Sequence, residues 1–344
     1  MLHIHNGDSS ADTAKQSSLA GEHFAFRESL TTGPTPSGLS DSEWRRIRSK
    51  HLSEAYGIDV KECERGLLSQ EEILASFSQH EEAVLWFEHD LFCQVHLIYL
   101  LNWFSQRALG TTKLSLICIG AFPGKENFRG LGELNHEELA SLFPARQQVT
   151  DKQMALAVSA WKAYCSSDPG EVESVLKIDT SSLTFLKPAL QAHLRRFPST
   201  KNGLGLIENS ALELIDEGLH GFIDLFHRFG DAEPVYGLGD AQFWLALQRL
   251  SMAQKPLLAI VNGNNYGGEK NSENSQQMLT AEIVSKARLE LTLLGRSVLN
   301  AETDFITLNG IDLWLGGVHL HEKNKVWRWN QEAASLVLPL GEAL

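Results

Sequence analysis

The chain has 344 residues, of which 43% are hydrophobic and 21% charged, and its formal net charge is −13. This length suits two domains rather than one small core. The acidic balance disfavours a general polyanion binder, because phosphate contacts need a basic surface. No stretch approaches the roughly 20 apolar residues of a membrane helix, and the start lacks the basic and apolar regions of a signal peptide. We therefore expect a cytoplasmic protein without membrane contact.

The first part of the chain alternates predicted strands and helices. Strands are predicted over 2–5, 23–27, 83–88 and 114–119, and helices over 9–18, 41–56, 70–77 and 91–107. This alternation is typical of a parallel sheet with right-handed crossovers. Residues 1–125 are therefore predicted to form a Rossmann-like α/β domain.

Helical periodicity dominates residues 126–200, which we interpret as a helical extension. Its predicted helices cover 137–143, 150–165, 169–176 and 182–196. A linker at 197–203 leads to residues 201–344, where helices over 207–217, 222–229 and 240–253 precede strands over 257–261, 288–292, 305–308 and 325–329. Because a winged helix has this order, we predict a winged-helix-like α+β C-terminal domain with a mobile polar loop at 262–277.

Polar side chains follow the first three predicted strands at the points where those strands end. In an open α/β sheet these ends meet at one crevice, where ligands bind. The predicted ligand-binding residues are Asn6, Gly7, Asp8, Ser9, Arg27, Arg45, Glu88, His89, Asp90 and Gln94. Some of them have a simpler interpretation, because Asp8, Ser9, Ser10 and Asp90 could cap the helices that follow.

We expect this edge of the sheet to bind a small anionic or phosphorylated ligand. Asp8 would be the acid–base or metal-binding group, and Ser9 with the start of its helix would hold the anion. Arg27 or Arg45 would clamp its charge, since the basic helix containing Arg45 directly follows the turn at 32–34. The residues after the third strand would line the opposite wall. The sequence identifies no cofactor and leaves open whether the protein is an enzyme, with Asp8, Ser9 and His89 as catalytic candidates.

An alternative function is that of a serine ester hydrolase acting through Ser9. The Gly7-Asp8-Ser9 turn is similar to that of SGNH-type hydrolases, which take their base from an Asp-x-x-His motif late in the domain. No such motif occurs before residue 200, so His89 would have to replace it.

Paired histidines occur at 3 and 5 and at 319 and 321, but two ligands do not complete a metal site. Four dispersed cysteines, without a C-x-x-C pair, indicate free thiols and no zinc motif.

A second alternative is a ligand-sensing transcriptional regulator that uses its winged helix to contact DNA or protein. The predicted recognition helix offers only Arg249 to a DNA backbone or base, and residues 201–344 hold 11 Lys and Arg against 18 Asp and Glu. We therefore expect no nucleic-acid partner. A protein partner or a homo-oligomer stays open. The aromatic residues at 314–329 are expected to pack against a neighbouring element.

Several segments together resemble a bacterial family that carries a domain of unknown function, DUF1835. They are the Asn6-Gly7-Asp8 turn, the turn at 33–34 with the arginines after it, and the segment LWFEHDLFCQ at 85–94. The later segments FRGLGEL at 128–134 and WLGG at 314–317 are similar to longer members of that family. The resemblance implies a two-part architecture in a bacterial cytoplasmic protein, and it implies no reaction.

Overall fold

A computed structural model of the chain describes residues 1–262, 287–322 and 325–338. Its central sheet has five strands, in the order β2-β1-β3-β4-β5. They are β1 (Leu2–His5), β2 (Glu22–Ala25), β3 (Glu82–Glu88), β4 (Lys113–Ile119) and β5 (Gln147–Gln148). Four of them are parallel, and only β5 runs antiparallel to its neighbour. The predicted Rossmann-like parallel sheet is confirmed.

Four helices connect and cover these strands. They are α1 (Asp8–Lys15), α2 (Asp41–Tyr56), α3 (Val60–Ala75) and α4 (Leu91–Ser105). The predicted helix over 70–77 is too short, since α3 begins ten residues earlier, and its first ten residues are mostly exposed apart from Cys63 and Leu67. Asp59 starts this helix by accepting hydrogen bonds from the N–H groups of Lys61 and Glu62.

The position of β1 places a topological switch point at the centre of the sheet. The chain leaves β1 through α1 to reach β2 on one side, and β3 lies on the other side. At this point the connections diverge to opposite faces and leave a crevice at the carboxyl ends of the strands. The residues after β1, β2 and β3 therefore lie at one edge, as the strand pattern predicts.

The helical extension packs against the sheet domain. It consists of α5 (His136–Ser141), α6 (Asp151–Tyr164), α7 (Gly170–Leu176) and α8 (Leu186–Leu194), and both α6 and α8 contact α4. One apolar core continues from the sheet through these helices into the C-terminal region, with Leu101, Leu190 and Phe243 among its buried members.

The winged-helix prediction is confirmed as well. Helices α9 (Leu206–Asp216), α10 (Phe222–Ala232) and α11 (Asp240–Ser251) precede an antiparallel pair, β6 (Leu258–Asn262) and β7 (Ala287–Leu291). A single antiparallel bridge pairs Gly221, just before α10, with Arg288 of β7, at the position where a winged helix has a short strand before its second helix. Beyond Asn262, the predicted loop at 262–277 lies outside the described residues.

The remaining elements correct one prediction. They are α12 (Leu293–Leu299), α13 (Phe305–Asn309), β8 (Ile311–Leu315), β9 (Val318–Glu322), β10 (Arg328–Asn330) and β11 (Ser335–Val337). The predicted strand over 305–308 is wrong, because these residues form α13. Asp304 caps that helix by accepting a hydrogen bond from the Thr307 N–H group, and a short, mainly apolar run of four residues does not distinguish a short helix from a strand. In the described part of the chain, no helix combines the length and apolar character needed to cross a membrane.

A close backbone approach joins the winged helix to the sheet domain at Gly237. Its φ is +57°, and a Cβ at this position would collide with the carboxyl group of Asp90. We expect Gly237→Ala to lower the free energy of unfolding by about 2–4 kcal/mol, since it adds a steric clash to left-handed strain. Gly110→Ala is the matched control, because Gly110 has a φ of +60° and open space around it. Its expected cost is about 1 kcal/mol. Urea denaturation measures both losses. If the two variants lose the same free energy of unfolding, the close contact with Asp90 adds nothing to the cost of Gly237→Ala.

Candidate functional site

The start of α1 faces the edge of the sheet without a capping side chain. Gly7 occupies the N-cap position with a φ of 124° and a ψ of 168°, and no side-chain hydrogen bond caps the helix. Asp8 is the first helical residue, so neither it nor Ser9 acts as the N-cap. The free N–H groups of the first turn therefore leave a positive helix end at this edge.

Arg27, two residues after the end of β2, forms an exposed ion pair with Asp8. Its Nε lies 2.8 Å from Asp8 Oδ1 and 2.9 Å from Oδ2, and its Nη2 lies 2.5 Å from Oδ1. The hydrogen bonds from Arg27 lower the pKa of the Asp8 carboxyl group. The side chains are 65% and 52% exposed, and such pairs contribute at most about 1 kcal/mol. This guanidinium can therefore exchange Asp8 for another anion at little cost.

A wide cleft of about 720 Å³ opens beside this ion pair. Its lining includes Gly7, Asp8 and Arg27 at the mouth, with Tyr56 and Ile73 from α2 and α3 farther along. The side chain of Gln70 fixes the backbone at the mouth, because its amide accepts from the Arg27 N–H group at 2.5 Å and donates to the Arg27 carbonyl at 2.9 Å. The Arg27 side chain is thus exposed on a rigid support.

Glu88 lies on the other side of β1, in a polar cluster of its own. Its carboxylate accepts hydrogen bonds from the Leu131 N–H group at 2.6 Å and from the Cys93 thiol at 2.5 Å. The Asn6 amide donates to Cys93 Sγ at 2.6 Å. Burial, together with the nearby carboxylate of Asp90, raises the pKa of Glu88 to about 7. Its proton equilibrium therefore lies near neutral pH, which is a property of many functional carboxyl groups.

Other predicted site residues have structural roles. Asp90 is the N-cap of α4 and accepts a hydrogen bond from the Cys93 N–H group at 2.8 Å. It therefore caps the helix that follows it, which is the simpler interpretation of this residue given above. Gln94 donates to the Glu88 carbonyl at 2.7 Å, and the His89 ring packs against Phe185. Arg45 does not reach the edge, because it pairs with Glu71 on α3 at 2.6 Å. The predicted ligand-binding set therefore divides into a cleft group, a polar cluster and structural residues.

Sequence reasoning missed two contributors to the polar cluster. The first is Cys93, whose position three residues after the N-cap Asp90 places it beside the strand end. The segment at 130–132 is the second contributor, since its backbone bonds to Glu88 and a Cβ at Gly130 would lie 2.9 Å from that carboxylate. No local pattern indicates this long-range approach.

The side chains of Glu88, Asp90 and Cys93 are the group that could hold a metal ion among the described residues, since their ligand atoms lie within 4.8 Å of one another. The sequence analysis offers Asp8 as a metal-binding group, and Asp8 is not one of these three residues. The cluster is mixed in character, with two oxygen donors and one sulfur donor. Burial and the two carboxylates raise the pKa of the Cys93 thiol well above its usual value, so the cysteine is a neutral hydrogen-bond donor here.

Arg48, on the basic helix α2, is not presented to solvent. Arg48 is fully buried, with its Nε and Nη2 atoms bonded to the Glu28 carboxylate at 3.1 and 2.7 Å. The remaining donors bond the carbonyls of Ser29, Thr32 and Pro34. All five N–H groups have an acceptor. Arg48 therefore organises the loop after β2.

The hydrolase alternative lacks its catalytic partner in this geometry. Ser9 Oγ donates to the Gly132 carbonyl at 3.4 Å, and none of the hydrogen bonds among the described residues connects it to a histidine. His3 and His5 are buried in the sheet, where the Trp86 indole donates to His3 Nδ1 at 3.1 Å and His5 Nε2 lies 3.1 Å from His23 Nδ1. Burial lowers the pKa of both, to about 4 and about 2.

The recognition-helix position of the winged helix faces the sheet domain. On α11, Gln242 donates to Ser29 Oγ at 2.7 Å, and Arg249 forms an ion pair with Glu208 of α9. Phe243 and Leu247 are buried in the core. This helix therefore makes contacts within the chain at positions that a DNA reader would keep exposed.

Neither a scan against protein-family models nor a search of curated proteins finds a match for this chain. Function is therefore inferred from the residues and geometry of the site.

Proposed function

We propose that the protein binds a small anionic or phosphorylated ligand at the carboxyl edge of its N-terminal sheet, in the cleft beside β2. The observation that carries this proposal is the position of the Arg27 guanidinium and the uncapped start of α1 at the mouth of one cleft of about 720 Å³. That volume suits a small-molecule ligand. Oriented N–H groups and an exposed arginine are the donors that phosphate and carboxylate groups prefer.

Binding would exchange one partner of Arg27 for another. The anionic group would accept hydrogen bonds from the Arg27 guanidinium and from the first N–H groups of α1, and Asp8 would turn away. The rest of the ligand would lie against Tyr56 and Ile73 in the cleft. Glu88, which does not line the cleft, would support the turn at the end of β1 through Cys93 and Asn6.

The ligand proposal is tested by thermal shift and calorimetry with nucleotides, phosphosugars and inorganic phosphate. A ligand at about 100 times its dissociation constant should stabilise the wild type by about 2.7 kcal/mol. Arg27→Gln should weaken that ligand about tenfold or more, because a charge-assisted hydrogen bond is lost.

Arg296→Gln is the matched control, since Arg296 forms a similarly exposed pair with Asp216, with side chains 60% and 46% exposed. This variant should bind like the wild type. The proposal fails if no anion in the panel binds, or if Arg27→Gln and Arg296→Gln bind equally well.

We further propose that the chain is a bacterial cytoplasmic member of the DUF1835 family. Three of the segments that resemble this family meet in one place, since Asn6, Cys93, Glu88 and Leu131 are joined by hydrogen bonds. All four cysteines are free thiols, as is usual in a reducing compartment.

A further inference from the structure

The cleft beside β2 is lined mainly by apolar side chains, and these limit the kind of ligand it can hold. Tyr56 and Ile58 line it at the end of α2, Leu67 and Ile73 line it on α3, and Phe92 lines it at the start of α4. Ile58 is 42% exposed, so apolar surface stays open to solvent along the cleft. Concave apolar surface of this kind is typical of a site that binds an apolar group.

Most polar side chains in the wall of the cleft are already hydrogen-bonded within the chain. The Gln70 amide bonds to the backbone of Arg27 through both its oxygen and its nitrogen. The Ser29 hydroxyl lies 3.1 Å from the Tyr56 hydroxyl, and His23 Nε2 lies 3.2 Å from a backbone carbonyl. The described part of the wall therefore offers few free partners to the hydroxyl groups of a sugar or the edge of a base, and burying them here would be costly.

An anionic head group, in contrast, has partners in the same cleft. The Arg27 guanidinium and the uncapped start of α1 lie at its mouth. Lys15 is a second cation in the wall and forms an exposed pair with Asp12. Glu62 also lines the cleft, but it is exposed to solvent, where screening weakens its repulsion of an anion. A ligand that suits both parts of the wall therefore has an anionic head and an apolar body.

We propose that the ligand of this cleft is an amphipathic anion with an unbranched alkyl or acyl chain. The head would take the place of Asp8 on Arg27, so this inference rests on the proposed function. The chain would lie along α3, against Leu67 and Ile73. The cleft volume of about 720 Å³ is several times the roughly 150 Å³ of a cavity that binds benzene, which leaves room for a chain of about eight carbons.

Gly66 allows the cleft to be filled without disturbing the fold. It lines the cleft from α3, on the same helix face as Cys63 and Gln70, which lie three residues before it and four after it. A Cβ at Gly66 would meet no other part of the chain within 4 Å, so a larger side chain there has open space in front of it. Because glycine is unfavourable inside a helix, Gly66→Ala and Gly66→Leu should both keep or raise the Tm.

Isothermal titration calorimetry with octyl phosphate, butyl phosphate and glucose 6-phosphate tests the nature of the ligand, at concentrations below micelle formation. The wild type should bind octyl phosphate at least about tenfold more tightly than either of the others, because each buried methylene strengthens binding roughly threefold. Octanoate should likewise bind more tightly than butanoate, since the chain sets the difference.

Three variants test the position of the two parts of the ligand. Arg27→Gln should weaken octyl phosphate about tenfold or more, because the head loses a charge-assisted hydrogen bond. Gly66→Leu should weaken it about tenfold or more, because the leucine occupies the space of the chain. Gly66→Ala is the matched control, since it has the same gain in helix propensity without filling the cleft, and it should bind octyl phosphate like the wild type.

The outcomes separate this inference from the proposed function. If glucose 6-phosphate binds in a manner that depends on Arg27, and octyl phosphate binds no more tightly than butyl phosphate, the anion site stands and the apolar chain is overturned. The chain is also overturned if folded Gly66→Leu, identified by thermal denaturation, binds octyl phosphate like the wild type. If none of these anions binds, both proposals fail.

Discussion

Replacing Arg48 with methionine is expected to destabilise the protein by about 3–5 kcal/mol. The substitution leaves the Glu28 carboxylate buried without its cation, and it frees the carbonyls of Ser29, Thr32 and Pro34. The Arg48 side chain is 0% exposed and that of Glu28 is 4% exposed, so water cannot replace the lost contacts. Urea denaturation at pH 7 measures the loss.

Arg27→Met is the matched control, because Arg27 also makes a bidentate pair with a carboxylate but lies in solvent. Its expected cost is below about 1 kcal/mol. A double variant, Arg48→Met with Glu28→Met, should recover part of the loss, because no charge remains buried. A cost for Arg48→Met no larger than for Arg27→Met would mean that the buried pair does not hold the loop after β2.

The arrangement of the sheet could be predicted because each strand carries its own signal. The alternation of apolar strands and amphipathic helices determines a parallel sheet, and the polar residues after β1, β2 and β3 then meet at one edge. The winged helix was predictable for the same reason, since its order of elements is local information. Short elements such as α13 were not predictable, because Asp304 and the burial of Phe305 and Ile306 determine that helix.

The candidate site was predicted only in outline, because its details depend on tertiary contacts. Asp8 and Arg27 meet as expected, but Arg45 is held by Glu71 and Arg48 is buried. The approach of Leu131 to Glu88 spans 43 positions in sequence, and no periodicity encodes it. An arginine on a mostly polar helix looks the same in sequence whether it faces solvent or a buried glutamate.

Buried histidines make the stability of the fold dependent on pH. His3, His5, His51 and His96 have pKa values lowered from 6.5 to about 4, 2, 4 and 3, mainly by burial. At His96 a hydrogen bond also requires the neutral ring, since Nε2 accepts from the Leu30 N–H group at 3.2 Å. A protonated ring could not accept this bond.

The direction of the effect follows from proton binding in the two states. Below pH 6.5 the unfolded chain takes up protons on these histidines, whereas the folded protein does not until about pH 4 or lower. Stability is therefore fully present above pH 6.5 and is lost as the pH falls. Each of these histidines lowers the free energy of unfolding by about 2 kcal/mol when the pH falls from 7 to 5. Glu88 acts in the opposite direction, because its pKa is raised to about 7 in the folded protein.

We therefore expect a net loss of several kcal/mol between pH 7 and pH 5, which is a large share of the stability of a typical domain. Urea denaturation at pH 7, 6 and 5 measures it. In His96→Gln, the loss of unfolding free energy between pH 7 and pH 5 should be smaller by about 2 kcal/mol. The reason is that a glutamine amide oxygen can still accept the hydrogen bond from Leu30 and does not titrate. His136→Gln, at an exposed position, should leave the pH dependence unchanged. Constant stability over this range would mean that the buried imidazoles are protonated or hydrated in the folded protein.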